Sequence, residues 1–358
     1  MIINASLLVG EELNLIERGH IVVEDGNIVE VGVNFREDGM DFSSYLVMPA
    51  LVNAHTHIGD SFAKDAVIGL DLKRAVGRKG MKWRLYENSS KEEVIQYMRD
   101  TIQCMINSGI GAFADFREGG KEGIEMLKDA VSEFPIKPII LGRDTDITEC
   151  DGLGINVHQL SQIPEDRKGR LVAVHAGEDN SEVKTALMHN PDIIVHLTRA
   201  RENEIKSVAE RGISVVLCPR SNAILGVGIP PVKKILDYGI NPALGTDNVM
   251  INSPDLFREM EFIFGISHLT GPVPAREILR MATVNGAKAL RINSGIIEKG
   301  RDADLIFIDK NSPNLRNSRD IITAIVHRCY PENVRKVMID GRFVVDKDGE
   351  NRKNAEDR

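Results

Sequence analysis

From Leu51 to Asp247 the chain returns eight times to a short apolar run of strand character, and helix-forming stretches fill the gaps. The runs fall near residues 51–57, 111–116, 138–142, 151–155, 170–175, 193–197, 213–218 and 242–247. Short apolar runs alternating with helices mark strands buried on both faces, as in a parallel sheet covered by helices. Eight such strands within roughly 250 residues predict a (β/α)8 barrel, whose functional residues gather at the C-terminal ends of the strands. One helix is sharply bounded. Ser90 and Glu93 form a capping box, Val94, Met98, Ile102 and Met105 follow at helical spacing, and Gly109 closes it.

The two ends of the chain read differently. "HIVVEDGNIVEVG" (residues 20–32) and "VRKVMIDGRFVVDKDG" (334–349) each set an Asp-Gly pair, Asp25-Gly26 and Asp340-Gly341, between two strand-like runs, a strong hairpin signal. Two β-rich ends flanking a long middle predict that the termini meet. The expectation is a small β-sandwich domain made of residues 1–48 and 297–358, with the barrel, 49–296, inserted between them. The polar tail from Lys347 to Arg358 is expected to fray.

Composition narrows the partners. A hydrophobic content of 42% supports a sizeable core, and 45 basic against 53 acidic residues, well mixed to a net charge of -8, leave no basic face for nucleic acid or an anionic membrane. Cys104, Cys150, Cys218 and Cys329 are widely spaced in apolar or strand-like surroundings and form no Cys-x-x-Cys pair, so they read as reduced thiols of a cytoplasmic protein. No leader-like N-terminus and no run of membrane-spanning length is present. A soluble enzyme acting on a small molecule fits this profile, and a homo-oligomer is compatible with it.

Polar residues cluster where a barrel puts its function. His55 and His57 end the first predicted strand, His175 ends the fifth, His196 lies near the end of the sixth and Asp247 ends the eighth. Side chains at i and i+2 of a strand share a face, so His55 and His57 can point together into the barrel mouth. Any one of these residues alone is more often a satisfied polar group than a ligand. Together, neutral imidazoles and a carboxylate make a site suited to zinc or ferrous iron, with a position left for a water that ionises near neutral pH.

The strings "NAHTH", "VHAGE", "IVH", "LCPRSN" and "GTDN" at these strand ends, with "RMATVNGAKAL" at 280–290 and "IIEKGRDADLIFID" at 296–309, resemble the amidohydrolase superfamily. Within it the chain is most similar to the ATZ/TRZ branch, which holds chlorohydrolases, guanine deaminases and deaminases of S-adenosylhomocysteine, methylthioadenosine and 5'-deoxyadenosine; "VHAGE" and His-x-x-Glu are also similar to adenosine and cytosine deaminases. The resemblance covers nearly the whole chain. It implies that His55, His57, His175 and Asp247 hold a single divalent metal, zinc first and iron as the alternative. Asp247 would also shuttle the proton of the attacking water, and His196 would hydrogen-bond that water or the developing oxyanion. Two-metal relatives bridge their ions with a carboxylated lysine on the fourth strand, and no lysine lies between Pro138 and Leu160.

Glu178, three residues after His175, is placed to protonate a ring nitrogen while the adjacent carbon turns tetrahedral and ammonia leaves. The plain alternative is a solvated loop acid, which is the reading for Asp179. The expected activity is hydrolytic deamination of an amino-substituted heterocycle, a purine nucleoside or nucleobase compound. The alternatives are a chlorohydrolase or a cyclic-amide hydrolase on a similar ring and, remotely, a non-catalytic scaffold with the same fold.

Other residues are less committal. His158, His189, His268 and His327 lie outside the motifs and read as surface or capping histidines. Cys218 is expected to pack at a strand end, and Gly245 to permit close backbone approach beside the metal. Asp115 reads as a substrate contact or, in preference, a helix cap, while Arg117 and Glu118 stay undecided. Asn222 and Trp83 are the tentative substrate contacts. The segment 61–90 departs from the larger relatives, with Trp83 and Tyr86 its main stacking candidates, so the substrate itself is not legible.

Overall fold

A computed structural model describes residues 1–77, 79–180 and 182–349; the expected fraying of the tail falls, from residue 350 onward, outside the described residues. Four strands open the chain: β1 (Ile2–Val9), β2 (Asn14–Glu24), β3 (Asn27–Val33) and β4 (Met40–Pro49). A parallel sheet follows, built from β5 (Leu51–His57), β6 (Ile110–Arg117), β7 (Lys137–Gly142), β8 (Gly152–Asn156), β9 (Leu171–Ala176), β10 (Ile193–His196), β11 (Ser214–Leu217), β12 (Pro242–Leu244) and β13 (Asp247–Asn248). The C-terminal strands β14 (Leu305–Asp309), β15 (Val334–Ile339) and β16 (Arg342–Asp346) complete the chain.

The nine-stranded sheet runs in the order β12-β11-β10-β9-β8-β7-β6-β5-β13. Its two ends, β12 and β13, are halves of one interrupted strand, so the sheet curls back on itself as a (β/α)8 barrel. The eighth strand predicted as continuous over 242–247 is in fact broken at Gly245-Thr246. Asn53 spans the break: its amide donates to Thr246 Oγ1 at 2.8 Å and its carbonyl accepts from Thr246 N–H at 3.0 Å. A side chain thus replaces the ladder, and Asp247 is released to pair with Thr56.

Inside the barrel, period-two positions fill the core: Val52 and Ala54, Ala112, Ala114 and Phe116, Ile139 and Leu141, Leu171 and Ala173, Ile193 and Val195, Val216, and Ala243. A larger apolar cluster packs the outer faces of the strands against the helices, including Val94, Met98, Ile102 and Met105 of the helix Lys91–Asn107. Ser90 caps that helix by accepting from Glu93 N–H at 3.1 Å. Cys104 is exposed on the same helix, not set in an apolar environment as expected; all four cysteines are free thiols.

The termini do meet, in one seven-stranded sheet of order β16-β15-β14-β4-β1-β2-β3. Its central seam joins β4 to β14 antiparallel, with Pro49 opposite Leu305. Both predicted hairpins form as two-residue turns in which each central residue has positive φ: Asp25 (47°) and Gly26 (83°), Asp340 (47°) and Gly341 (71°). Among the described residues no helix is long and apolar enough to cross a membrane.

Sheet and barrel are locked by Lys137. Its Nζ, at the start of β7, lies 2.7 Å from carboxylate oxygens of Asp302, Asp304 and Asp340. Three carboxylates so close would draw a cation, and the ammonium supplies it. Lys137→Met would strand the fully buried Asp304 without a counter-charge. Urea unfolding should show a loss of about 1–3 kcal/mol, the cost of leaving a buried polar group unpaired.

Candidate active site

The site begins with a phase shift in β5. Val52 and Ala54 face the barrel interior, and a strict alternation would send His55 and His57 outward. The pairing of β5 with β6 changes register between Asn53 and Thr56. That irregularity re-aims the strand end, so His55 and His57 join the interior positions. His175 needs no such device, since it continues the inward series Leu171 and Ala173 on β9.

Three imidazoles meet at one point. His57 Nε2 and His55 Nε2 each lie 3.3 Å from His175 Nε2, and Asp247 Oδ1 lies 3.2 Å from His55 Nε2 and 3.7 Å from His57 Nε2. Phe116 floors the cluster, its ring centroid 4.3 Å from that of His55 and 4.7 Å from that of His175. Burial pushes His55 down to about 3, against the pull of Asp247, and drives His175 well below the usual range. Burial also presses His57 down, but Glu118 outweighs it and raises that ring; with His55 and His175 neutral, protons cannot satisfy all three converging nitrogens. A cation can: zinc ligands about 2.0–2.1 Å from a tetrahedral ion stand roughly 3.3–3.4 Å apart. The donor set therefore fits a divalent metal.

Asp247 is held from behind by Ser221, whose hydroxyl donates to Oδ2. Burial favours a protonated Asp247, but the hydrogen bond from His55 and the surrounding histidines outweigh it, and the carboxyl stays well below its usual range. Both Asp247 (φ +59°) and His196 (φ +79°) adopt left-handed backbone, a conformation that costs a non-glycine residue about 1–3 kcal/mol and persists where packing enforces it. Gly245 makes room for this turn. A Cβ there would stand 2.6 Å from His55 Cβ and 3.0 Å from its backbone N and O, so the approach is to the ligand strand itself.

Glu178 points at the same space, its Oε2 3.6 Å from His196 Nε2. Burial raises its carboxyl, with Asp247 and Glu182 adding to the rise and His196 opposing it. The loop is fixed by Glu182, whose Oε2 accepts from the N–H groups of Gly177, Glu178 and Asp179 at 3.0, 3.1 and 3.0 Å. Gly177 (φ +98°) sits against the backbone of Leu197, where a Cβ would come within 2.7 Å. Asp179 is exposed, as a solvated loop acid should be.

A cavity of about 620 Å³ opens over these groups, lined by His57, His175, Glu178, His196 and Asp247 on the metal side, with Trp83, Arg143 and His158 among the other lining residues. Trp83, the tentative substrate contact, lines this cavity. Asn222 is not among the lining residues: it is fully buried and donates to Thr198 Oγ1 at 2.6 Å. Tyr86 also misses the cavity, because its hydroxyl donates to Asp60 at 2.8 Å and its ring packs on Phe62. His158, read as a surface residue, is exposed at the cavity rim. Asp115 is a cap, though not of a following helix: it accepts from Ile58 N–H at 2.7 Å and Thr56 Oγ1 at 2.9 Å, fixing the turn after His57. Cys218 is buried and its thiol is pushed up by burial.

Sequence reasoning left Arg117 and Glu118 undecided and missed the buried cations that join Glu118 at the cavity wall, Lys82 and Arg143. Lys82 Nζ lies 2.7 Å from both Asp60 and Glu118, and Arg143 lies 3.3 Å from Glu118. Arg117 is fully buried nearby, its guanidinium against Gly59. The signal for Asp60 stood in "NAHTHIGD", three residues past His57. Lys82 and Arg143 carried none.

The amidohydrolase family pattern matches residues 46–162 and 154–344, and the chain belongs to that family. It is 37% identical to a putative aminohydrolase of Methanothermobacter thermautotrophicus, over 95% of this chain and 98% of that protein. It is 28% identical to the 5'-deoxyadenosine deaminase of Methanosarcina mazei, over 92% and 88%. Among solved structures, an adenosine deaminase from Xanthomonas campestris with bound zinc superposes with a TM-score of 0.78 at 21% identity, covering 99% of this chain and 97% of that one. That likeness shows the fold.

The close approach at Gly245 gives a direct test. Gly245→Ala should push His55 off its position, lower the melting temperature by the few degrees that about 1–3 kcal/mol of overpacking implies, and weaken binding of added zinc in a calorimetric titration.

Proposed function

We propose that this protein is a metal-dependent aminohydrolase that deaminates an amino-substituted heterocycle, with a purine nucleoside as the first substrate class to test. One observation carries the reading: a cluster of three imidazoles and a carboxylate shares a cavity with a second, half-buried carboxyl whose surroundings incline it to keep its proton. His55, His57, His175 and Asp247 would hold one divalent ion, zinc before iron. Bound there, such an ion supplies a Lewis acid that makes a water nucleophilic near neutral pH.

The chain's own residues divide the proton work. Glu178 holds a proton for the ring nitrogen next to the carbon under attack. Asp247 accepts the proton of the attacking water and passes it to the departing amine. His196, within reach of Glu178, donates to the oxygen that gains charge. A carbon–oxygen bond forms, the carbon–nitrogen bond breaks, and ammonia leaves. The cavity volume suits a nucleoside, falling within the roughly 300–1,000 Å³ usual for small-molecule sites. The deaminase names of relatives such as the Methanosarcina mazei protein support the same class.

Ammonia release by zinc-loaded protein, measured across amino-purines, amino-pyrimidines and their nucleosides, tests this reading; no release from any of them would overturn it. Glu178→Gln should keep the metal but lose about 10²–10⁴-fold in kcat, with a much smaller change in KM. Near-normal turnover would return Glu178 to a solvated loop acid.

The same proposal extends to organisation, with residues 1–48 and 297–358 as one β-sandwich unit beside the barrel of 49–296. Deletion from Ile296 onward should then give insoluble protein, because β4 would lose β14 and present a bare edge.

A further inference from the structure

Glu118 follows the last residue of β6 and is almost wholly buried. A single oxygen, Oε1, gathers three nitrogens: Lys82 Nζ at 2.7 Å, His57 Nδ1 at 3.1 Å and Arg143 Nη1 at 3.3 Å. They arrive from separate places: the end of β5, the short helix Met81–Tyr86 and the residue after β7. Lys82, shared with Asp60, and Arg143 keep this carboxylate charged. Its contact with His57 adds to that and sets a fixed negative charge beside the imidazole.

A neutral imidazole carries one proton, and the group facing one nitrogen decides which nitrogen holds it. The carboxylate stands 3.1 Å from Nδ1 but out of line for a hydrogen bond, so it is its charge that favours the proton there and leaves the Nε2 lone pair facing His55 and His175. Without it, His57 could place its proton on Nε2, into the convergence point. We propose that Glu118 is a positioning residue for His57, fixing its tautomer and ring orientation for a metal, and that Lys82 fastens the Trp83-bearing wall of the cavity to the same carboxylate. The inference rests on the metal-site reading above. Lys82 suits the second part: its ammonium bridges Glu118 to Asp60, which also accepts from Tyr86 and Asn248, so the helix Met81–Tyr86 is held at both ends.

The test is zinc affinity, by competition with a chromophoric chelator, on wild type, Glu118→Gln and Glu118→Leu, each checked for folding by circular dichroism. Glu118→Leu should bind zinc about 10–100-fold more weakly, the usual cost of removing the partner of a ligating histidine. Glu118→Gln, whose amide oxygen still sets a partial negative charge beside Nδ1, should recover part of that loss, and the cobalt(II) absorption spectrum should shift in Glu118→Leu alone. Because either variant strands Lys82, the double variants with Lys82→Met serve as the folded versions if the single ones fail to fold. Wild-type zinc affinity in folded Glu118→Leu would overturn the positioning role while leaving the metal site intact. A wild-type protein that binds neither zinc nor cobalt would overturn the metal reading and this one with it. Lys82→Met, with Arg143 still on Glu118, should keep zinc but be cleaved faster by chymotrypsin at Trp83 or Tyr86; unchanged cleavage would overturn the shared anchor.

Discussion

The seam between the eighth strand and the first decides everything at the barrel mouth. Parallel pairing of Asp247 with Thr56 and of Asn248 with His57 closes the cylinder, and the same two rungs set Asp247 beside both His55 and His57. The seam is reached through a break in the strand. Gly245 lets the backbone pass against His55, and Asn53 supplies the hydrogen bonds that the broken ladder lacks. A continuous strand would close the barrel equally well, but its carboxylate would not be turned by the left-handed backbone at Asp247.

Two glutamates, Glu118 buried and Glu178 half-buried, show how desolvation and charge divide the work of this mouth. Burial alone raises both carboxyls. Around Glu118, Lys82, His57 and Arg143 overwhelm that effect and hold it well below its usual range, so it is a fixed negative charge. Around Glu178 the carboxylates of Asp247 and Glu182 reinforce burial, only histidines oppose it, and the carboxyl is raised. The difference lies in neighbours: both carboxyls line the cavity, Glu118 among cations and Glu178 beside His196 and near other acids. Carboxyls separated in this way can serve different parts in one reaction.

Much of this could be read from the chain. Seven of the eight predicted runs became strands with no boundary shifted by more than one residue, because apolar runs between turn residues have few other ways to bury themselves. The Asp-Gly hairpins and the Ser90 cap formed because their chemistry is local, carried by two to four residues. The residues of "NAHTH", "VHAGE", "IVH" and "GTDN" came together, since a barrel sends every strand end to one face. Asn222 and Tyr86 were misplaced, because motif membership and aromatic character do not say which way a side chain turns.

The sequence by itself determined the barrel, the meeting of the termini and the gathering of His55, His57, His175, His196 and Asp247 at one end of the barrel, because each follows from periodicity, turn chemistry or strand-end position. Only the tertiary structure decided the rest. The register shift that turns His55 and His57 inward depends on how β5 lies against β6. The break in the eighth strand depends on Asn53, nearly two hundred residues away. Lys82, Arg143 and Glu182 are ordinary charged residues in sequence; burial beside particular carboxylates and backbone amides, set by contacts across the barrel and within one tight loop, is what gives them a part in the site.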